Sequence, residues 1–163
     1  MITDDFLVVD TEGKPLVTEI AIINSAGGVA YFSEVKQKYK IQPHGKPLLK
    51  VLQEISPLIQ NRTLVFHCAE HDLGVLTYSY RNQKIDLPLF KCQCSLELAR
   101  MLLSNQKSYG LDYLSQKLGL KVDNRYFNPD QAHSARYDAL FTYQLYLHLR
   151  SQNEHQSVQQ QPR

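Results

Sequence analysis

A chain of 163 residues, 43% apolar and 21% charged, suits one compact domain with a sizeable core rather than a disordered segment. Its formal net charge of +2 speaks against duplex-coating modes that need a strongly basic surface, and leaves room only for a local basic patch. No stretch approaches the roughly 18 apolar residues of a membrane span. Met1 to Asp5 leads straight into an apolar run without room for a signal peptide, and three cysteines without a disulfide framework fit a reducing cytoplasm.

In chain order, hydrophobic patterning predicts strands near 5–10, 17–23 and 29–34, the last two joined by a turn at Gly27-Gly28. A helix follows near 46–60, then a strand near 62–67 and a helix near 70–83. A short strand near 89–93 precedes helices near 95–104 and 110–118, the latter stopped by Gly119, and a final helix runs from about 134 to 152. Three strands followed by alternating helix and strand imply an α/β fold, a mixed sheet flanked by helices. One domain is expected over 1–150. The remainder, 151–163, is the end of the last helix and a polar, glutamine-rich tail expected to be disordered.

The chemistry gathers around five residues. In Phe6-Leu-Val-Val-Asp-Thr-Glu12 an apolar strand ends in two acids separated by one residue, so Asp10 and Glu12 project to the same side. Two such carboxylates repel unless a cation neutralises them, and all-oxygen ligation suits Mg²⁺ or Mn²⁺. Asp72 shares a helical face with Val75, Leu76, Ser79 and Tyr80, and Asp138 lies on the stripe of Phe141, Thr142, Leu145 and Leu149. Both aspartates therefore face inward, where an ionised carboxylate is costly unless paired or bound to metal. His133 precedes Asp138 by five residues, about 140° round a helix, and so belongs in the loop or cap before it.

The order Asp-x-Glu, His67-Cys-Ala-Glu-His-Asp72 and His133-x-Ala-x-x-Asp138-Ala-x-x-Thr142 resembles the three motifs of the DEDDh 3′-to-5′ exonucleases. That family includes proofreading subunits, ribonuclease T and oligoribonuclease. Ser95 to Leu103 and Lys107 to Leu114 are also similar to the stretch joining the last two motifs, so the likeness covers residues 5–150. It implies a ribonuclease H-like three-layer fold with a five-stranded sheet, and a two-metal-ion enzyme releasing nucleoside 5′-monophosphates from single-stranded DNA 3′ ends. By resemblance Asp10, Glu12, Asp72 and Asp138 hold the ions, and His133 takes the proton from the attacking water, as an imidazole that is mostly free base at neutral pH can. Where many relatives continue Asp-x-Glu with Thr-Thr-Gly-Leu, this chain has Gly13-Lys-Pro-Leu16, and Cys68 stands where relatives often place Asn.

On the substrate side the candidates are Thr11, Gly13 and Leu16 beside the terminal nucleotide, and Tyr126 and Phe127 as base-stacking rings, with anchoring of their loop as the competing role. Lys14, Arg125 and Arg136 flank the motifs within reach of phosphate. Three rival readings stand beside this one: the same chemistry on RNA or short oligoribonucleotides, a catalytically silent nucleic-acid-binding module, and a zinc adaptor built from His67, Cys68, His71, Cys92 and Cys94. Cys92-Gln-Cys94 has poor spacing for zinc. A homodimer and a larger nucleic-acid-processing assembly are both left open as partners.

Overall fold

The alternation of side chains along the first strand organises the molecule. The computed structural model of the chain describes residues 5–37 and 44–159, with side chains to residue 154. Strand β1 (Phe6–Glu12) lies at the centre of a five-stranded sheet, with β2 (Glu19–Asn24) and β3 (Val29–Glu34) on one side and β4 (Thr63–Phe66) and β5 (Lys91–Cys94) on the other. The pairs β1–β2 and β2–β3 are antiparallel, whereas β1–β4 and β4–β5 are parallel. This is the mixed sheet that the order of elements predicts.

Leu7 and Val9 of β1, with Ile20, Ile22, Leu64 and Phe66, pack against α1 (Leu48–Ile59) and α2 (Ala69–Asn82). Phe6 and Val8, with Ala21, Ile23 and Val65, pack against the start of α5 (Ala135–Gln159). Period-two alternation thus buries both faces of the sheet, as a central strand requires. A third cluster joins α3 (Ser95–Leu102) and α4 (Leu111–Lys117) to the outer side of α5 through Ala99, Leu114, Phe141, Leu145 and Leu149.

Two features differ from the sequence reading. A small hairpin, β6 (Lys121–Val122) and β7 (Arg125–Tyr126), turns through Asp123 and Asn124, both with positive φ, and is followed by a 3₁₀ turn at Pro129–Gln131. Helix α5 also continues to Gln159, beyond the end near 152 that the pattern predicts. The polar run after 150 extends an already nucleated helix at little cost per residue, so its composition misleads. Residues 160–163 of the expected tail lie outside the described residues.

The turn from β1 to β2 folds tightly beside the acidic strand end. Gly13 has φ of +118°, and a Cβ there would meet the Leu16 carbonyl oxygen at 2.1 Å and the Thr18 amide at 2.8 Å. Only glycine fits. The Thr18 N–H donates to the Glu12 carbonyl at 2.8 Å, which closes the turn and sets the hairpin register in which Glu12 faces Glu19.

Candidate active site

Strand parity decides which partners the residues of β1 meet. Asp10 and Glu12 follow Phe6 and Val8 on the face covered by α5, whereas Thr11 follows Leu7 and Val9 toward α2. The cross-strand partner of Asp10 is the fully buried Ala21, a small residue that leaves room beside the carboxylate. Across from them, α5 supplies Asp138 from its first turn, and His133 precedes that helix in the left-handed region at φ of +65°. Ligand atoms of Glu12, His133 and Asp138 lie within 4.8 Å of one another. Asp10 borders the same cluster, where Asp72, Asp138, Glu12 and Glu19 all act on its charge.

Asp72 enters from α2, 4% exposed. Its Oδ1 accepts from the Thr11 backbone N–H at 2.9 Å and from the Thr11 hydroxyl at 2.7 Å. The Thr11 side chain, read from the sequence as a substrate candidate, is thus turned toward Asp72. The residue is buried and both its donors are committed to Asp72, so it orients that carboxylate.

Electrostatically the cluster is unbalanced in the metal-free chain. Burial raises the Asp10 carboxyl well above its usual range, and Asp72, Asp138, Glu12 and Glu19 push it the same way. Burial lifts Asp72 to about 6 despite the two Thr11 hydrogen bonds. Glu12 is raised by burial and then by Asp138, while Asp138 is raised by burial against the pull of the His133 N–H, which donates to its Oδ2 at 3.0 Å. Asp10 Oδ2 and Asp138 Oδ1 are buried with no hydrogen-bond partner. Orphaned, mutually repelling oxygens are what a hard divalent cation would satisfy, so these residues fit such an ion.

A pH dependence follows. Because the folded pKa of Asp72 lies above its ordinary value of 3.8, the folded state holds that proton more tightly than the unfolded chain. The associated stability is complete below the ordinary value and is lost as pH rises through about 6. In EDTA, urea melts should therefore show lower stability at pH 7.5 than at pH 5, by about 1.4 kcal/mol from this group, the rest of its contribution being lost below pH 5. Asp72→Asn should flatten the slope, and a wild-type protein whose metal-free stability rises across this window would contradict the assigned environment.

The other candidates separate by burial. Phe127 is 7% exposed and packs against Tyr137 and Phe141 with ring centroids 5.4 and 5.0 Å apart, so its faces are closed to a base. Of the two roles weighed for Phe127, this packing is that of a loop anchor. Tyr126 is 62% exposed on β7, with the Lys121 ammonium 4.5 Å from its ring centroid. Phe127→Ala is expected to cost about 3–5 kcal/mol in chemical denaturation. Tyr126→Ala should leave that measurement nearly unchanged and instead weaken single-strand binding by about 1–3 kcal/mol in fluorescence anisotropy.

Gly13 and Leu16 lie in the tight turn next to Glu12, and Lys14 between them; Arg125 lies on the β6–β7 hairpin and Arg136 in the first turn of α5. The zinc reading gains nothing. His67 is held between the Ser95 hydroxyl at 2.9 Å and the Tyr109 carbonyl at 3.0 Å, and among the described residues the five zinc candidates form no three-ligand group. Sequence reasoning missed Glu19, the cross-strand partner of Glu12, whose Oε1 accepts from the Ala135 N–H at 2.8 Å and the Ser134 hydroxyl at 3.2 Å. The readable signal was the length of the hairpin, which places an acid opening the second strand opposite the acid closing the first.

This fold is that of the ribonuclease H-like DEDDh nucleases. The structure of exonuclease X in complex with 5′ overhanging duplex DNA matches with a TM-score of 0.66 at 19% identity, over 91% of this chain and 93% of that one. The nuclease domain of 3′hExo, a DEDDh family member bound to rAMP, has a TM-score of 0.66 at 12% identity, over 91% and 92% of the two chains. Brucella melitensis NrnC with bound Mg²⁺ has a TM-score of 0.61 at 19% identity, over 94% of this chain and 75% of that one.

The chain belongs to the RNase_T exonuclease family, whose model matches residues 35–146, a span that contains Asp72, His133 and Asp138 and begins after Asp10 and Glu12. Among curated relatives, the PolC-type DNA polymerase III of Streptococcus agalactiae is 31% identical over 114 residues, 69% of this chain. That of Streptococcus thermophilus is 32% identical over 94 residues, 58% of this chain. The chain spans only 6–7% of the length of these polymerases.

Proposed function

We propose that this chain is a metal-dependent 3′-to-5′ exonuclease that releases nucleoside 5′-monophosphates from single-stranded DNA. The observation that carries the reading is the pair of buried, unpartnered carboxylate oxygens on Asp10 and Asp138, set in a cluster with Glu12 and His133. Asp10, Glu12, Asp72 and Asp138 would hold two Mg²⁺ or Mn²⁺ ions. Bound there, such ions supply phosphate neutralisation, orientation of the attacking water and stabilisation of the leaving oxygen. Thr11 fixes the rotamer of the Asp72 carboxylate. His133 takes the proton as water attacks phosphorus, and the bond from phosphorus to the 3′-oxygen of the preceding nucleotide breaks. Glu12, with the backbone at Gly13 and the apolar side chain of Leu16, receives the terminal nucleoside and its 3′-hydroxyl.

The DNA assignment draws support from the polymerase relatives and from exonuclease X bound to DNA. The polymerase relatives also support a place in a larger nucleic-acid-processing assembly. The three unpaired cysteines accord with a cytoplasmic setting. A second reading, short RNA as substrate, is favoured by the likeness to NrnC bound to pGG and to 3′hExo bound to rAMP.

Digestion of end-labelled single-stranded DNA and RNA with Mg²⁺, Mn²⁺ or EDTA tests the proposal. Mononucleotides should appear only with metal and only from a free 3′-hydroxyl, faster from DNA. Circular single strands should persist, and equal cutting of circular and linear strands would overturn the exonuclease reading. Faster RNA digestion would select the second reading, and metal-independent silence with intact binding would select a non-catalytic module.

A further inference from the structure

We infer that Glu19 is a positioning residue that clamps the His133 loop onto the sheet. The inference rests on the proposed role of His133 as general base and deepens it.

The segment His133-Ser134-Ala135 is held from two directions. From within α5, Asp138 Oδ2 accepts the His133 backbone N–H at 3.0 Å, and the Asp138 N–H donates to the Ser134 carbonyl at 2.9 Å. From the sheet, Glu19 Oε1 accepts the Ala135 N–H at 2.8 Å and the Ser134 hydroxyl at 3.2 Å. The first amides of a helix have no intrahelical partner. A serine just before a helix usually caps it with its own oxygen, yet Ser134 donates its hydroxyl to Glu19. The cap comes from another element, a carboxylate at the positive end of α5.

Glu19 opens β2 and faces Glu12 in the β1–β2 register, so it stands on the same face as the acidic cluster. Its two hydrogen bonds tie residues more than a hundred positions apart. His133 is exposed and has φ of +65°, a backbone conformation a non-glycine residue holds only when its surroundings impose it. Asp138 alone ties the loop to its own helix. Glu19 supplies the tie to the strand that pairs with Glu12, and so sets the imidazole relative to the carboxylates.

Four variants read in parallel test this. Glu19→Gln keeps an acceptor oxygen without the charge, Glu19→Asp keeps the charge but shortens the reach, and Glu19→Ala removes both. The fourth, His133→Ala, is combined with Glu19→Ala. In single-turnover digestion Glu19→Gln should stay within about threefold of wild type, while Glu19→Ala and Glu19→Asp should lose up to ~10²-fold in kcat with KM nearly unchanged. Glu19→Ala should add almost nothing in the His133→Ala background. Without metal or substrate, the Ala135 amide should exchange with solvent faster in Glu19→Ala and Glu19→Asp than in Glu19→Gln. If Glu19→Ala does not fold, Glu19→Asp carries the same test.

The inference is overturned if Glu19→Gln falls as far as Glu19→Ala, since charge on the cluster would then be the active property. Equal losses with and without His133, or Glu19→Asp at wild-type activity, would overturn it as well. Failure of the underlying reading looks different: His133→Ala would itself retain turnover, whatever the Glu19 variants do.

Discussion

Asp10→Asn is expected to abolish measurable turnover while leaving the metal-free protein as stable as wild type or more so. Asp10 meets charge from Asp72, Asp138, Glu12 and Glu19 on top of its burial, and its Oδ2 has no hydrogen-bond partner to lose. Removing that charge relieves repulsion and desolvation together. The same substitution deletes a proposed metal ligand, and several kcal/mol of charge stabilisation corresponds to a rate loss on the order of 10³-fold. Thermal melts in EDTA and in Mn²⁺ separate the two effects. Wild type should gain stability with Mn²⁺, because a ligand of the folded state adds RT ln(1 + [L]/Kd), and Asp10→Asn should gain much less. A mutant that melts well below wild type in EDTA would mean that Asp10 holds the fold through contacts rather than waiting for a cation.

His133→Ala is expected to lose about 10²–10⁴-fold in turnover with metal binding preserved. The side chain is exposed, and the hydrogen bond that ties this residue to Asp138 comes from its backbone N–H, which alanine retains. The loss should therefore appear without a comparable loss of stability. Added imidazole should restore part of the rate if the missing function is proton acceptance. A variant within threefold of wild type under single-turnover conditions would move the role of base to another group.

The placement of four of the proposed site residues was legible because each announces itself locally. Asp10 and Glu12 close an apolar strand, and Asp72 and Asp138 interrupt buried helical stripes that the structure confirms at Val75, Leu76, Phe141 and Leu145. The partner of Thr11 could not be read, because its neighbours in sequence are the acids, whereas its side chain turns to the opposite face and finds Asp72 of α2. Glu19 was overlooked because only half of its setting can be read in the sequence, the hairpin length that sets it opposite Glu12. The other half, the helix start that its carboxylate meets, arrives from more than a hundred residues away and leaves no trace near residue 19.

Phe127 and Tyr126 are adjacent and chemically alike, so no pattern of spacing distinguishes the anchored ring from the free one. The small hairpin that carries Tyr126 has two residues per strand, too short for alternation to register, and its Asp-Asn turn lacks the glycine that usually marks such turns.

The contribution of α5 has a consequence for when the chain can act. His133 and Asp138 come from the last fifth of the sequence, and the face of the sheet they complete is covered by the helix that Asp138 begins. During synthesis from the N-terminus, Asp10, Glu12 and Asp72 are in place long before their partners emerge. A chain without that helix therefore holds three of the acids but neither Asp138 nor the proposed base His133. Detachment of α5 would take His133 and Asp138 away from Asp10 and Glu12 and expose Phe6, Val8, Ala21, Ile23 and Val65 of the sheet. On the proposed roles of His133 and Asp138, cleavage competence would therefore report that α5 has docked.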